Sequence, residues 1–175
     1  MIILSHAGQL IDMRLNDIKT ERLNIIPMQI EELQGLAKKY KTDALELSQA
    51  YGEMLRNCTK FSDEYLWYTS WKILLDKTDE TVGYACFKGI MPDGSSELGY
   101  GIDEEYQNKG YATEAVVGLC QWAFSTSKVI SITAEIAADN ISSEKVLRKA
   151  GFVPTGKMGE EGPLFVVGWE KLKET

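Results

Sequence analysis

Histidine is nearly absent from this sequence: His6 is the single one among 175 residues. That excludes a histidine-rich metal site and argues against a Ser-His-Asp triad. Cysteine is scarce as well. Cys58, Cys86 and Cys120 are odd in number, widely spaced and without a Cys-x-x-Cys pair, which argues against both a disulfide framework and a zinc knuckle. Cys86 and Cys120 lie in apolar stretches and read as small core residues. No apolar run approaches the ~18 residues of a membrane span. The opening Met1-Ile2-Ile3-Leu4 is short, lacks a basic flank and does not read as a signal peptide, so the expected location is cytoplasmic. Positive charge is in deficit, 19 Lys and Arg against 26 Asp and Glu for a formal net charge of −7. That speaks against nucleic acid as the main partner and mildly favours a cationic substrate. The chemistry therefore has to run on carboxylates, hydroxyls, backbone amides or a cofactor.

What is present is an ordinary globular balance, 44% hydrophobic and 26% charged, with enough apolar material for one core. Residues 1–19 read as an N-terminal extension and 20–175 as a single domain with no repeat or linker. Residues 20–27 alternate and predict a first strand. Residues 31–40 and 43–55 predict two helices, the second capped by Thr42 or Asp43, and 63–68 a short helix capped by Ser62. Residues 71–75 and 81–87 predict a hairpin, and Met91-Pro92-Asp93-Gly94 a turn. Residues 97–102 form a glycine-rich strand; glycine there signals a bulge or a close approach to the backbone. Residues 112–124 carry apolar positions at helical spacing, and 129–136 predict a strand. Asn140 caps a helix that stops at Gly151, and 152–153 and 164–169 predict the closing strands. The fold class is thus mixed α/β (α+β), a mostly antiparallel central sheet flanked by helices rather than a pure Rossmann alternation.

The most informative segment is Gln107-Asn108-Lys109-Gly110-Tyr111-Ala112, between the glycine-bearing strand and the amphipathic helix. A helix start leaves about four N–H groups unpaired and carries roughly half a positive charge. A glycine just before it lets those amides converge on one anion, and Lys109 adds local positive charge. Taken alone, the hexapeptide fits an ordinary polar turn at least as well. It is neither a Walker A loop nor a Gly-x-Gly-x-x-Gly fingerprint.

The order of features goes further. Gln107, Gly110 and Ala112 fit the form Gln/Arg-x-x-Gly-x-Gly/Ala. Asn140-Ile141-Ser142-Ser143 begins 28 residues after Ala112, and Val146-Leu147-Arg148-Lys149-Ala150-Gly151-Phe152 follows. The segment 97–152 resembles the GCN5-related N-acetyltransferase (GNAT) superfamily, in particular the branch of ribosomal-protein N-terminal acetyltransferases. The resemblance implies an acyl-CoA N-acyltransferase fold and acetyl-CoA as co-substrate without a metal. It implies an amine acceptor, either a protein N-terminus or a small molecule, attacked directly in a ternary complex. It further implies that Gln107, Asn108, Lys109, Gly110, Tyr111, Ala112 and Thr113 hold the coenzyme pyrophosphate, and that Gly101 and Ile102 pair with the pantetheine arm. Asn140 would touch that arm besides capping its helix, and Ser143 would stand near the sulfur as a hydrogen-bond donor. Many relatives carry a tyrosine seven residues after the asparagine; here that position is Leu147.

Glu97 is the candidate general base for the amine, with a solvated strand-end carboxylate as the plain alternative. Glu114 and Glu135 are weaker candidates, and an acid in the first turn of a helix is favoured by its dipole in any case. Phe61, Tyr65, Trp67, Tyr68 and Trp71 read as core, part of which also lines an acceptor cleft. The acceptor's identity and homodimerisation are left open. So are two alternatives: a catalytically silent acyl-CoA sensor, and a transferase for a longer acyl group.

Overall fold

The computed structural model describes residues 3–4, 10–11, 16–41 and 44–172; His6 and the expected caps Thr42 and Asp43 lie outside them. The elements in chain order are β1 (Ile3–Leu4), β2 (Leu10–Ile11), β3 (Ile18–Lys19), β4 (Leu23–Pro27), α1 (Ile30–Lys39), α2 (Leu45–Lys60) and a 3-10 segment at Ser62–Trp67. Then come β5 (Ser70–Leu75), β6 (Thr81–Phe87), β7 (Ser95–Ile102), a 3-10 turn at Glu104–Tyr106, α3 (Tyr111–Ser125), β8 (Ser131–Glu135), α4 (Ile141–Lys149), β9 (Val153–Met158), β10 (Pro163–Gly168) and α5 (Trp169–Leu172). Strands β1 and β2 pair with each other. The other eight form one sheet in the order β3-β4-β5-β6-β7-β8-β10-β9. Every neighbouring pair in it is antiparallel except β7 and β8.

The local reasons are visible in the chain. In β4, Leu23, Ile25 and Pro27 turn inward and alternate with half-exposed Asn24 and Ile26, the period of a strand with one buried face. In α3, Ala115, Val116, Leu119, Cys120 and Ala123 are fully buried, and the helix packs on β7 and on the β3–β4 end of the sheet. Trp122 of α3 meets Trp67, Trp71 and Phe87 with ring centroids 5.1, 4.8 and 5.6 Å away. A smaller cluster of Met28, Leu33 and Cys58 seats α1 and α2. Helix α4 stops where Gly151 adopts φ +91°. The Gly151 N–H then bonds the Arg148 carbonyl and the Phe152 N–H the Leu147 carbonyl, a pairing that satisfies the last carbonyls of the helix.

The departures from the sequence reading have physical causes. The expected strand 20–27 begins only at Leu23, because the Thr20 N–H bonds the Leu23 carbonyl and residues 20–22 turn the chain between β3 and β4. Helix α2 runs on to Lys60. The 3-10 segment starts after Phe61 without a side-chain cap, so Ser62 is its first residue rather than its cap. The last strand ends at Gly168, and Trp169 opens a short helix. Strand β7 carries no bulge against β6; the register runs unbroken from Gly83↔Ile102 to Phe87↔Leu98. What its glycines accompany is a divergence. β7 pairs with β8 only at Ser95, Ser96 and Glu97, and from there β7 follows β6 while β8 follows β10. The sheet is wedged open between β7 and β8.

Phe152 is 2% exposed at the foot of α4, whereas Val153 beside it is 47% exposed. Phe152→Ala is expected to cost about 3–5 kcal/mol of unfolding free energy, and Val153→Ala less than ~0.5 kcal/mol; urea titration followed by tryptophan fluorescence measures both.

Candidate active site

The wedge opens directly onto the start of α3. Two residues of the connecting loop are left-handed, Asn108 at φ +61° and Gly110 at φ +85°. Gly110 is the N-cap, and no side chain caps the helix. Among the described residues, no backbone or side-chain acceptor takes the N–H groups of Asn108, Lys109, Gly110, Tyr111, Ala112 or Thr113. Unpaired amides gathered by left-handed turns at a positive helix end are the geometry that holds an anion. α4 offers the contrast: there Asn140 Oδ1 accepts the Ser143 N–H at 3.0 Å and closes the helix start.

The loop's side chains are used to hold it. Gln107 Nε2 donates to the Ile102 carbonyl at 3.0 Å, tying the loop to the end of β7. Lys109 Nζ donates back to the Glu105 carbonyl at 2.9 Å and lies over the Tyr106 ring. Its charge stays local to the loop while its amide is left outward.

Along β7, the Asp103 N–H bonds Val82 and the Glu97 carbonyl accepts from Lys88. Odd-numbered residues therefore turn their backbone polar groups toward β6, and Tyr100 and Ile102 turn theirs toward the wedge. Gly101, expected beside the pantetheine arm, has its backbone in the β6 ladder and its Cα on the opposite face. Ile102 is on the open side, and so is Tyr100, which the sequence reading missed. The Tyr100 hydroxyl spans the wedge and donates to the Ser143 carbonyl at 3.3 Å. Burial raises its pKa against the lowering effect of that hydrogen bond, so the phenol stays protonated at neutral pH. The signal available in the sequence was its place between Leu98 and Ile102 on the inward face of an alternating strand. Leu147 is fully buried, so the site often held by a tyrosine in relatives is part of the core.

On the other face of the sheet, Gly99 lies opposite Cys86 and Gly101 opposite Tyr84. The same face carries a cleft of about 240 Å³ between α2 and β6, lined by Glu53, Met54, Asn57, Tyr68, Cys86 and Lys88, among others. Tyr68 stacks on Phe61 at 4.8 Å, whereas Trp67 and Trp71 are buried. The aromatic stretch thus divides between core and cleft. Glu97 sits at this face in an ion pair with Lys88. Burial alone would lower the Lys88 pKa, but the Glu97 carboxylate outweighs it and the net shift is upward.

The two weaker acid candidates are engaged elsewhere. Glu135 Oε1 accepts the backbone N–H groups of Glu161 and Gly162 and pins the tip of the β9–β10 hairpin. Glu114 accepts the Thr20 hydroxyl at 2.6 Å, the Arg22 N–H at 2.7 Å and Arg22 Nε at 2.7 Å. Among the described residues no group of acids, cysteines or histidines is gathered to hold a metal ion, and no helix is long and apolar enough to cross a membrane.

A wedged mixed sheet with an unpaired helix start at its mouth is built to receive an anionic ligand, and the comparisons with known proteins place the domain among the acyltransferases. Residues 22–153 match the acetyltransferase (GNAT) domain, and the chain belongs to that N-acetyltransferase family. It is 38% identical over 94 residues to the uncharacterized N-acetyltransferase YjdG of Bacillus subtilis, a stretch covering 53% of this chain and 56% of that protein. It is 28% identical to the uncharacterized N-acetyltransferase p20 of Bacillus licheniformis, over 81% of this chain and 85% of that one. The fold matches the crystal structure of the ribosomal-protein-S5-alanine acetyltransferase from Vibrio fischeri with a TM-score of 0.67 at 20% identity, covering 87% of this chain and 96% of the other.

Glu114 yields a pH prediction. Burial raises its pKa, but the Thr20 hydroxyl and the Arg22 amide and guanidinium outweigh that and lower it. Its contribution is therefore complete above the ordinary glutamate pKa of about 4.3 and is lost as pH falls through the lowered value. The stability gap between wild type and Glu114→Gln, from urea unfolding, is expected to be constant from pH 7 to 5 and to close below about pH 4.

Proposed function

We propose that the chain transfers an acetyl group from acetyl-CoA to a primary amine by direct attack within a ternary complex. The observation that carries this is the set of unpaired amides from Asn108 to Thr113 at the mouth of the wedge, which suits a diphosphate. Ile102 and Tyr100 would offer backbone hydrogen bonds to the amide-like pantetheine arm, in the manner of an added strand, and Asn140 its free amide nitrogen. A Mycobacterium smegmatis RimJ structure of the same fold, TM-score 0.59, is described in complex with CoA-disulfide, which supports a coenzyme A ligand here.

In this reading the acceptor enters from the α2–β6 cleft, where Gly99 and Gly101 leave the strand bare. Its nitrogen forms a bond to the acyl carbon, the carbon–sulfur bond breaks, and the amine proton passes to Glu97 directly or through water. Lys88 holds Glu97 until the acceptor's ammonium competes for it. Ser143 stands on the opposite side as hydrogen-bond donor to the departing thiolate, a competent leaving group at a thiol pKa of ~8.5, and the Tyr100 hydroxyl, donating to the Ser143 carbonyl, holds that residue in place. Relatives named for ribosomal-protein serine or alanine acetylation support a protein N-terminus as acceptor over a free small amine. The engaged state of Glu97 and the apolar Leu147 favour, as a second reading, a coenzyme-binding sensor without turnover. A thiol-release assay with acetyl-CoA and a panel of peptides and amines separates the two, and competition by succinyl-CoA tests a longer acyl group.

Gly110→Asp forces a side chain onto a left-handed residue, crowds Arg22 Nη2 and sets a negative charge beside the amide cradle. Coenzyme A affinity measured by calorimetry is expected to fall at least ~100-fold, near 3 kcal/mol; unchanged affinity rejects the loop assignment. Glu97→Gln is expected to lower turnover by about 10²-fold at pH 7 and by much less near pH 9.5, where free amine is plentiful. A pH–rate profile identical to wild type would remove Glu97 as the base.

A further inference from the structure

Arg22 lies 87 residues away from Lys109 in sequence and against it in the fold. Its Nη1 donates to the Lys109 carbonyl at 2.9 Å, and its Nε donates to Glu114 Oε2 at 2.7 Å. Its guanidinium lies over the Tyr111 ring at 4.8 Å. A Cβ built on Gly110 would stand 3.2 Å from Nη2. One side chain thus reaches Lys109, Tyr111 and Glu114 and borders the space beside Gly110. Glu114 is itself held by the Arg22 N–H and the Thr20 hydroxyl, so the fork is braced from the turn that precedes β4.

The consequence follows from peptide geometry. The Lys109 carbonyl and the Gly110 N–H belong to one planar trans unit, and they point in opposite directions. Fixing the oxygen on the Arg22 side therefore aims the Gly110 N–H away from Arg22, into the cradle. Gly110 has no side chain to resist a flip of that unit and explores φ freely when untethered. A lone exposed ion pair contributes little, but this guanidinium holds a main-chain carbonyl and a helix side chain together, which a planar five-donor fork does and a single ammonium does not.

We propose that Arg22 is a positioning residue for the anion-binding amides. It fixes the Lys109–Gly110 peptide and, through Glu114 and Tyr111, the first turn of α3, so that the cradle is formed before the coenzyme arrives. Preorganisation of this kind raises affinity by removing the ordering cost of binding. The proposal rests on the reading of the loop as the diphosphate site of coenzyme A.

The test is calorimetric titration of the full chain with coenzyme A for wild type, Arg22→Met, Arg22→Lys, Glu114→Gln and the Met/Gln double variant, with thermal unfolding of each. Arg22→Met and Arg22→Lys are both expected to weaken binding about tenfold while remaining folded at the titration temperature, because lysine keeps the charge but cannot hold both acceptors. Glu114→Gln is expected to weaken it severalfold, with the double variant no worse than Arg22→Met, since the two act as one unit. Arg22 variants that bind as wild type, a lysine variant that restores full affinity, or independent additive losses would each overturn the proposal. Should an Arg22 variant not fold, Glu114→Gln decides alone, and wild-type affinity there overturns it. A wild-type chain that ignores coenzyme A rejects the diphosphate reading itself, which is a different result from a wild type that binds beside Arg22 variants that bind equally.

Discussion

The structure depends on a helix start left open. Backbone N–H groups are obligatory hydrogen-bonding groups, and the usual remedy at a helix N-terminus is a Ser, Thr, Asp or Asn side chain. Helix α4 takes that remedy through Asn140. Helix α3 has Gly110 in the same position and no side-chain cap. The open amides are not a defect of an exposed end. Gln107 ties the loop to β7, Arg22 ties it to the turn before β4, and the buried face of α3 anchors the helix in the core. The loop is held from three sides with its donors outward, in a region of positive backbone potential on a chain of net negative charge.

The wedge between β7 and β8 is the second half of the same arrangement. β7 leaves its parallel partner after Glu97 and continues with β6 alone, which releases the backbone polar groups of Tyr100 and the N–H of Ile102 on the side facing α4, the Ile102 carbonyl being taken by Gln107. A ligand anchored by its phosphates at α3 meets this free edge next, and then Ser143 and the Tyr100 phenol. The opposite face, stripped of side chains at Gly99 and Gly101, meets the cleft under α2 with Glu97 and Lys88 at its rim. Two ligands can thus approach one opening from opposite faces of a single strand. That arrangement suits direct transfer between them without a covalent enzyme intermediate.

Local signals carried much of this. The loop, the period of α3, the Asn140 cap and the Gly151 stop are each written in a few adjacent residues, and each stands in the structure where the sequence placed it. Contacts between distant segments were not legible. An arginine at the edge of a predicted strand gives no hint that it grips a helix start 87 residues on. Glu114 and Glu135 looked like spare acids because nothing near them in sequence names Thr20, Arg22 or the amides of Glu161 and Gly162 as their partners. The glycines of β7 pointed to a bulge or a close approach, and the ladder with β6 is unbroken; a bulge and a splay share the same local signal, and only the pairing of β8 with β10 tells them apart. The cleft proposed for the acceptor draws on α2, Tyr68 and β6, so no single motif could describe it.

The central claim is that the amides opening α3 receive the diphosphate. Titrating coenzyme A into 15N-labelled wild-type protein and following each backbone amide by heteronuclear NMR tests it most directly. The account predicts that the largest and saturable shifts fall on Asn108 through Thr113, with Tyr100 and Ile102 following along the wedge. Saturable binding that leaves those amides unmoved, or no response at millimolar coenzyme A, would contradict it.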